Sequence, residues 1–174
     1  MTERLTLRTK FRVDVYKSEL LPEGFDRWPA AERARWYEGN PGHTIIEEDG
    51  NLALLEGMNA LWTLACGGGG TVYSNANARC GVGDGDTAPS ADQTGLQGAN
   101  TAFKGMLATY PQYGSDGQAV FKSEFLSAEG NFAWKEYTVD NGAATNKNLN
   151  RRVVDHGTKA SGEVRTLTVT TTIS

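Results

Sequence analysis

The chain opens on a two-residue rhythm. Leu5, Leu7, Phe11, Val13 and Val15 alternate with Thr6, Arg8, Lys10, Arg12 and Asp14. A period of two puts one set of side chains on a buried face and the other in water. This alternation predicts a half-buried strand. Leu167, Val169, Thr171 and Ile173 repeat it against Thr166, Thr168, Thr170 and Thr172, inside a strand predicted over residues 163–173. Further strands are predicted over residues 119–126 and 131–139, at Ile45–Ile46, and where Ala76, Ala78, Cys80 and Val82 turn small side chains inward. Strands joined by turns, without strand–helix alternation, argue antiparallel sheets. The expected fold class is mainly β (α+β): an antiparallel β-sandwich or open barrel with two to three short helices and an extended N-terminal arm.

A helical period appears elsewhere. Leu54, Leu55, Met58, Leu61, Trp62 and Ala65 share one face and predict a core helix. Asp49 or Asn51, in the turn Glu48-Asp49-Gly50-Asn51, would cap it, and Gly67 would stop it. Gly57 inside that pattern costs up to ~1 kcal/mol against Ala, which points to close packing there. A second helix is expected from about Thr94, with Leu96, Ala99, Phe103, Met106, Leu107 and Tyr110 on one face and Pro111 ending it. Residues 18–50 are broken by Pro22, Gly24, Pro29, Gly39, Pro41 and Gly42, leaving room for a short helix over Pro29–Tyr37 with Asp26 as its cap. This connection carries Phe25, Trp28, Trp36 and Tyr37. Either these rings cover the domain's own core, or they form an arm that docks on a neighbouring subunit. Residues 1–67 thus read as strand, aromatic arm and core helix, and residues 68–174 as a β-rich body, within one compact domain.

Composition narrows the picture. The 174 residues carry 17 Lys+Arg against 21 Asp+Glu, a formal net charge of −4, so no cationic excess exists to neutralise a phosphate backbone. Four Trp within a 39% hydrophobic chain can build a core. The 21 glycines stand well above the usual ~7%. Glu56 and Asn59 interrupt the most apolar stretch, Leu52–Cys66, which is too short to span a bilayer. Charges through the first twenty residues leave no apolar leader region, and two cysteines make no disulfide scaffold. Synthesis in a reducing cytoplasm is the expectation.

Tests for chemistry return little. His43 and His156 have no partner at metal-ligand spacing. Gly67–Gly70 leads to Thr71-Val72-Tyr73 rather than the Lys and Ser/Thr of a phosphate loop. Cys66 and Cys80 fit no zinc or redox spacing and read as small buried thiols. Asp84, Asp86 and Asp92 could collect Ca²⁺, but Ala88 stands where an EF-hand needs its next ligand, so a Gly/Asp turn is the expectation. Gly83 and Gly85 would give that turn its positive φ. No Gly-x-Ser-x-Gly elbow occurs, and Glu129 with Glu136 forms no recognised glycosidase pair. By period two Glu136 shares a sheet face with Phe132 and Trp134, either at the core edge or paired with an Arg or backbone amides. Arg151-Arg152, Lys147 and Lys159 are too few for nucleic acid. No catalytic, cofactor-binding or metal-ligating residue is assigned.

A resemblance enters on longer segments. Asn77-Ala78-Arg79-Cys80-Gly81-Val82-Gly83-Asp84-Gly85-Asp86-Thr87-Ala88-Pro89-Ser90, then Thr94 and Leu96-Gln97-Gly98, resembles a recurring strand-and-turn pattern of tailed-bacteriophage virion proteins. Phe121–Phe125, Ala128-Glu129-Gly130-Asn131-Phe132-Ala133-Trp134-Lys135-Glu136, Leu149-Asn150-Arg151 and Gly157-Thr158-Lys159 before a Thr-rich strand continue it in order, over residues 51–174. The resemblance implies a small, β-rich, oligomeric head-decoration, fibre or spike protein without catalytic residues.

The expected function is therefore a non-enzymatic structural component of a tailed-phage virion, needing no cofactor. A capsid decoration or cement protein is preferred, on the outer surface of the head. Its partners would be the major capsid protein, copies of itself (a trimer being natural at local symmetry points) and other virion proteins, with no nucleic acid or membrane. Interface candidates are Phe11, Phe25, Trp28, Trp36, Tyr37, Arg151 and Arg152. The alternative is a tail or head fibre or spike that binds a host surface, with sugars held by the Asn-rich loop of residues 141–150.

Overall fold

A computed structural model describes residues 7–47 and 52–173. Ten strands follow in chain order: β1 (Leu7–Tyr16), β2 (His43–Glu47), β3 (Leu52–Ala53), β4 (Arg79–Gly83), β5 (Thr101–Gly105), β6 (Gln112–Tyr113), β7 (Gln118–Phe125), β8 (Glu136–Asp140), β9 (Asn150–Val153) and β10 (Val164–Ile173). They form two five-stranded antiparallel sheets, β2-β1-β10-β7-β6 and β3-β9-β8-β4-β5. The sheets face each other as an unclosed sandwich. Two helices, α1 (Ala30–Gly39) and α2 (Leu55–Ala65), lie outside them.

The two alternating segments find each other. β1 and β10 pair in register from Leu7 opposite Ile173 to Tyr16 opposite Val164, so the N-terminal portion shares a sheet with the last described strand. Phe11, Val13, Phe121, Leu167 and Val169 face inward from this sheet, against Cys80, Val82, Tyr137 and Val139 from the other. Small residues on β4 leave room for rings, with Phe11 and Tyr137 5.8 Å apart. Trp134 is fully buried at 0% exposure, edge-on to Phe125 at 4.9 Å.

The aromatic connection folds back on the chain that carries it. Phe25 and Tyr37 are buried with Tyr16, Leu107 and Val164 in a second core, against which Trp28 and Trp36 pack half-buried. The ring centroids of Phe25 and Trp36 lie 4.9 Å apart. Arg33 on α1 pairs with Glu124 of β7 at 2.5 Å, and the Tyr37 hydroxyl donates to the same carboxylate at 2.8 Å. Pro29 precedes α1, its carbonyl accepting from the Glu32 and Arg33 amides. Asp26 does not cap this helix: it sits in a single 3₁₀ turn, Phe25–Arg27, and accepts from the Ser127 hydroxyl.

Other elements depart from the hydrophobic pattern. Residues 94–110 form no helix. Residues 94–100 are loop and residues 101–105 are strand β5, paired with β4. Gly95 at φ +85° and Gly98, wedged between Asp84 and Glu136, bend the chain where the apolar spacing alone reads as helical. The thin strand starts at Arg79, after a turn at residues 75–77. β9, within the polar stretch of residues 140–160, and the two-residue strands β3 and β6 carried no alternation to announce them. Residues Leu5 and Thr6 of the first predicted strand, and the turn and caps at residues 48–51, lie outside the described residues.

Candidate functional site

β8 is buried on both faces. Tyr137 and Val139 enter the core, so Glu136, Thr138 and Asp140 point the other way, and Glu136 does not share the core face with Trp134. That outer face is roofed by the loop of residues 84–98. The Glu136 carboxylate accepts from the backbone amides of Gly85 (3.2 Å), Gln97 (2.9 Å) and Gly98 (2.6 Å). It also pairs with Arg151 of β9, whose Nη2 lies 2.7 Å away; both side chains are 0% exposed. The Arg151 Nη1 donates to the Thr87 carbonyl and Gln93 Oε1, each at 2.9 Å. A fully desolvated ion pair needs its other hydrogen-bonding positions filled; here three loop amides, the Thr87 carbonyl and the Gln93 side chain fill most of them, while Arg151 Nη2 meets the Glu136 carboxylate alone. The pair is a clamp. Gly83 and Gly85 serve it by size: neither has positive φ, and a Cβ on Gly85 would sit 2.6 Å from Glu136 Oε1.

The same internal bookkeeping holds around the clamp. Asp140 pairs with Arg79 at 2.6 Å, and Thr138 donates to the Asn150 carbonyl at 2.7 Å. Asp84 accepts from the amide (3.0 Å) and the side chain (2.6 Å) of Asn100, which hold its carboxyl below the ordinary value. Among the described residues no three His, Cys, Asp or Glu side chains converge on a metal position. In the loop of residues 141–150, Asn141 accepts from the Lys147 amide, Asn146 donates to Asp140, and Asn148 donates to Glu56. Those amides are engaged within the chain. Lys159, 1% exposed, donates to the Leu126 carbonyl (2.9 Å) and Asn131 Oδ1 (2.7 Å), and burial lowers its ammonium to about 8.

The structure therefore relocates most residues singled out in the sequence. Phe11, Phe25, Tyr37 and Arg151 are buried inside the chain, Trp28 and Trp36 are half-buried against its second core, and Arg152 is half-buried on β9. Arg151 and Lys159 belong to internal clamps rather than a basic surface. His43 is exposed, and the His156 ring packs tilted against Tyr137 with centroids 5.1 Å apart. Cys80 is buried, its thiol pushed up to about 12 by desolvation, whereas Cys66 is exposed; both are free.

The surface feature left over is α2. Its N-terminal turn is pinned where Gly57 abuts the backbone of Asn148 and Leu149, with room for no Cβ (Leu149 Cα would lie 2.5 Å away). Beside it the Glu56 carboxylate accepts from the amide (3.0 Å) and side chain (2.9 Å) of Asn148. With that edge fixed, the apolar stripe turns away from the sandwich. Leu55 is 56% exposed, Leu61 38% and Trp62 70%, so this is not the core helix its period implied. On one flank Met58 and Leu61 form a wall of a groove of about 420 Å³ at the open end of the sandwich, facing Leu7, Tyr113, Phe121 and Ile173. Among the described residues, none that lines the groove is charged. The sequence held the signal in the apolar residues of α2, but not which side of the helix would be covered.

Fold and surface together define an unclosed antiparallel β-sandwich with internally clamped loops and one exposed apolar helix. Comparisons with protein-family models, curated proteins and solved structures find no match. No described helix is long and apolar enough to cross a membrane.

Proposed function

We propose that this chain is a non-enzymatic structural component of a tailed-phage virion, which holds neighbouring subunits through the face of α2 and its adjoining groove. The observation that carries the reading is Trp62, 70% exposed on an apolar helical stripe beside a groove whose described lining is uncharged. A soluble monomer rarely leaves a contiguous apolar patch beyond ~300–600 Å² without a partner for it. The virion setting rests on the resemblance, whose segments coincide with the clamps: Gly83, Gly85 and Gly98 around Glu136, Arg151 opposite it, and Lys159 under the turn after β7.

Within that setting the decoration or cement role is preferred, since cementing works by burying anchors such as Trp across a junction. The assembly surface is the α2 face rather than the buried rings of Phe11, Phe25 and Tyr37. The fibre alternative would need accessible amides in the loop of residues 141–150; those of Asn141, Asn146 and Asn148 are committed internally, and Asn150 is fully buried.

Particles made with the wild-type chain or with Trp62→Glu, purified on a density gradient, test the reading by quantitative mass spectrometry. The wild-type chain is expected in fixed stoichiometry to the major shell protein, with the variant's occupancy reduced at least tenfold. A wild-type chain missing from particles would overturn the proposal.

A further inference from the structure

We infer that the α2 face closes on a second copy of this chain, in a twofold contact where Trp62 of each copy enters the groove of the other. The inference rests on reading that face as an assembly surface and names its first partner.

Three observations converge on a second copy. The first is shape. Leu55, Met58 and Trp62 follow one another at the i, i+3, i+7 spacing of a single helical stripe, and Met58 also lines the groove. A projecting ring and a recess thus adjoin on one face. An isologous contact needs just this self-complementarity, because a patch must meet its own image.

The second is area. The exposed parts of Leu55, Leu61, Trp62, Tyr113 and Ile173 amount to on the order of 500 Å² of apolar surface, taking large aromatic side chains at ~150–250 Å² each. A homodimer interface of about 800 Å² per partner, about 65% apolar, needs the same amount.

The third is charge. Each copy carries a formal net charge of −4, whereas the described residues that line the groove include none with a charge. Two acidic bodies meet at least cost through the face where neither presents charge.

Sedimentation equilibrium on the full chain tests the contact. The wild type is expected to be a dimer across the micromolar range. Trp62→Glu and Leu55→Glu, both at exposed positions, are expected to keep the wild-type circular dichroism spectrum and dissociate at least 100-fold more readily. Cys66 lies one turn beyond Trp62 and is exposed, while Cys80 is buried. A bis-maleimide should therefore couple two wild-type chains through Cys66 and leave Trp62→Glu uncoupled.

A wild-type chain that remains monomeric at millimolar concentration overturns the inference, leaving the groove to a different virion protein. A trimer, or a dimer that survives both substitutions, overturns it too. Particle occupancy is measured separately: a monomer that still loads onto particles refutes the pairing and leaves the proposed function standing.

Discussion

Through one carboxylate Glu136 joins β8, β9 and three loop amides. Removing its charge strands a buried guanidinium. Glu136→Gln is expected to lower stability by about 3–5 kcal/mol, read from urea denaturation. Replacing both partners, Glu136→Leu with Arg151→Met, should cost clearly less, because no ion is then left unpaired. If the double variant proves less stable than the single, the pair is not the clamp described. The sequence narrowed Glu136 to the core edge or to an Arg or amide partner; only folding brought residues 85, 97 and 151 to it. The glycines were legible as a turn, but their need is for space rather than positive φ, which no local pattern distinguishes. Lys159 offers a test by pH. The unfolded chain keeps this proton to near its ordinary value, while the folded chain sheds it from about 8. Across that window the unfolded state binds more protons, so Lys159 makes stability rise with pH. Comparing wild type with Lys159→Met between pH 7 and pH 10 should show the wild type gaining on the variant, by at most about 1.4 kcal/mol per pH unit. A flat difference would contradict the lowered ammonium.

Among elements, the strands with clear alternation, β1 and β10, were legible, because one wet and one dry face leave a period of two. β9 escaped because its side chains serve a buried polar layer, where Asn150 and Arg151 are as enclosed as any valine. The segment of residues 94–110 misled for a different reason: Phe103 and Leu107 stand four apart, but Gly95 abuts the Asn148 side chain and Gly98 abuts Asp84 and Glu136. For α2 the period revealed the helix and its stripe, and stayed silent on what would cover it. The Gly57 contact fixes that orientation. Gly57→Ala would gain up to ~1 kcal/mol of helix propensity, but its methyl would strike the Asn148–Leu149 backbone. Overpacking of this kind typically costs about 1–3 kcal/mol, so a net loss of about 1 kcal/mol is expected in urea denaturation. A stabilised variant would show that α2 does not rest on that edge.

At the scale of the whole molecule, the chain spends its buried charges on itself and leaves apolar surface outside. Ion pairs at Glu136–Arg151, Arg33–Glu124 and Arg79–Asp140 each tie one segment to a strand of the sandwich. The second core, around Phe25 and Tyr37, consumes the rings that the sequence offered as a docking arm. What faces outward in their place is Trp62, Leu55 and the groove wall at Leu61. A molecule built this way suits a rigid part joined through one face. The most direct measurement is immunogold electron microscopy of intact particles with antibody against this chain. Label spread evenly over the heads is expected, and its loss with Trp62→Glu would tie the position to the α2 face. Label on the tail or a single vertex would contradict a decoration role, and particles without label would contradict a virion component altogether.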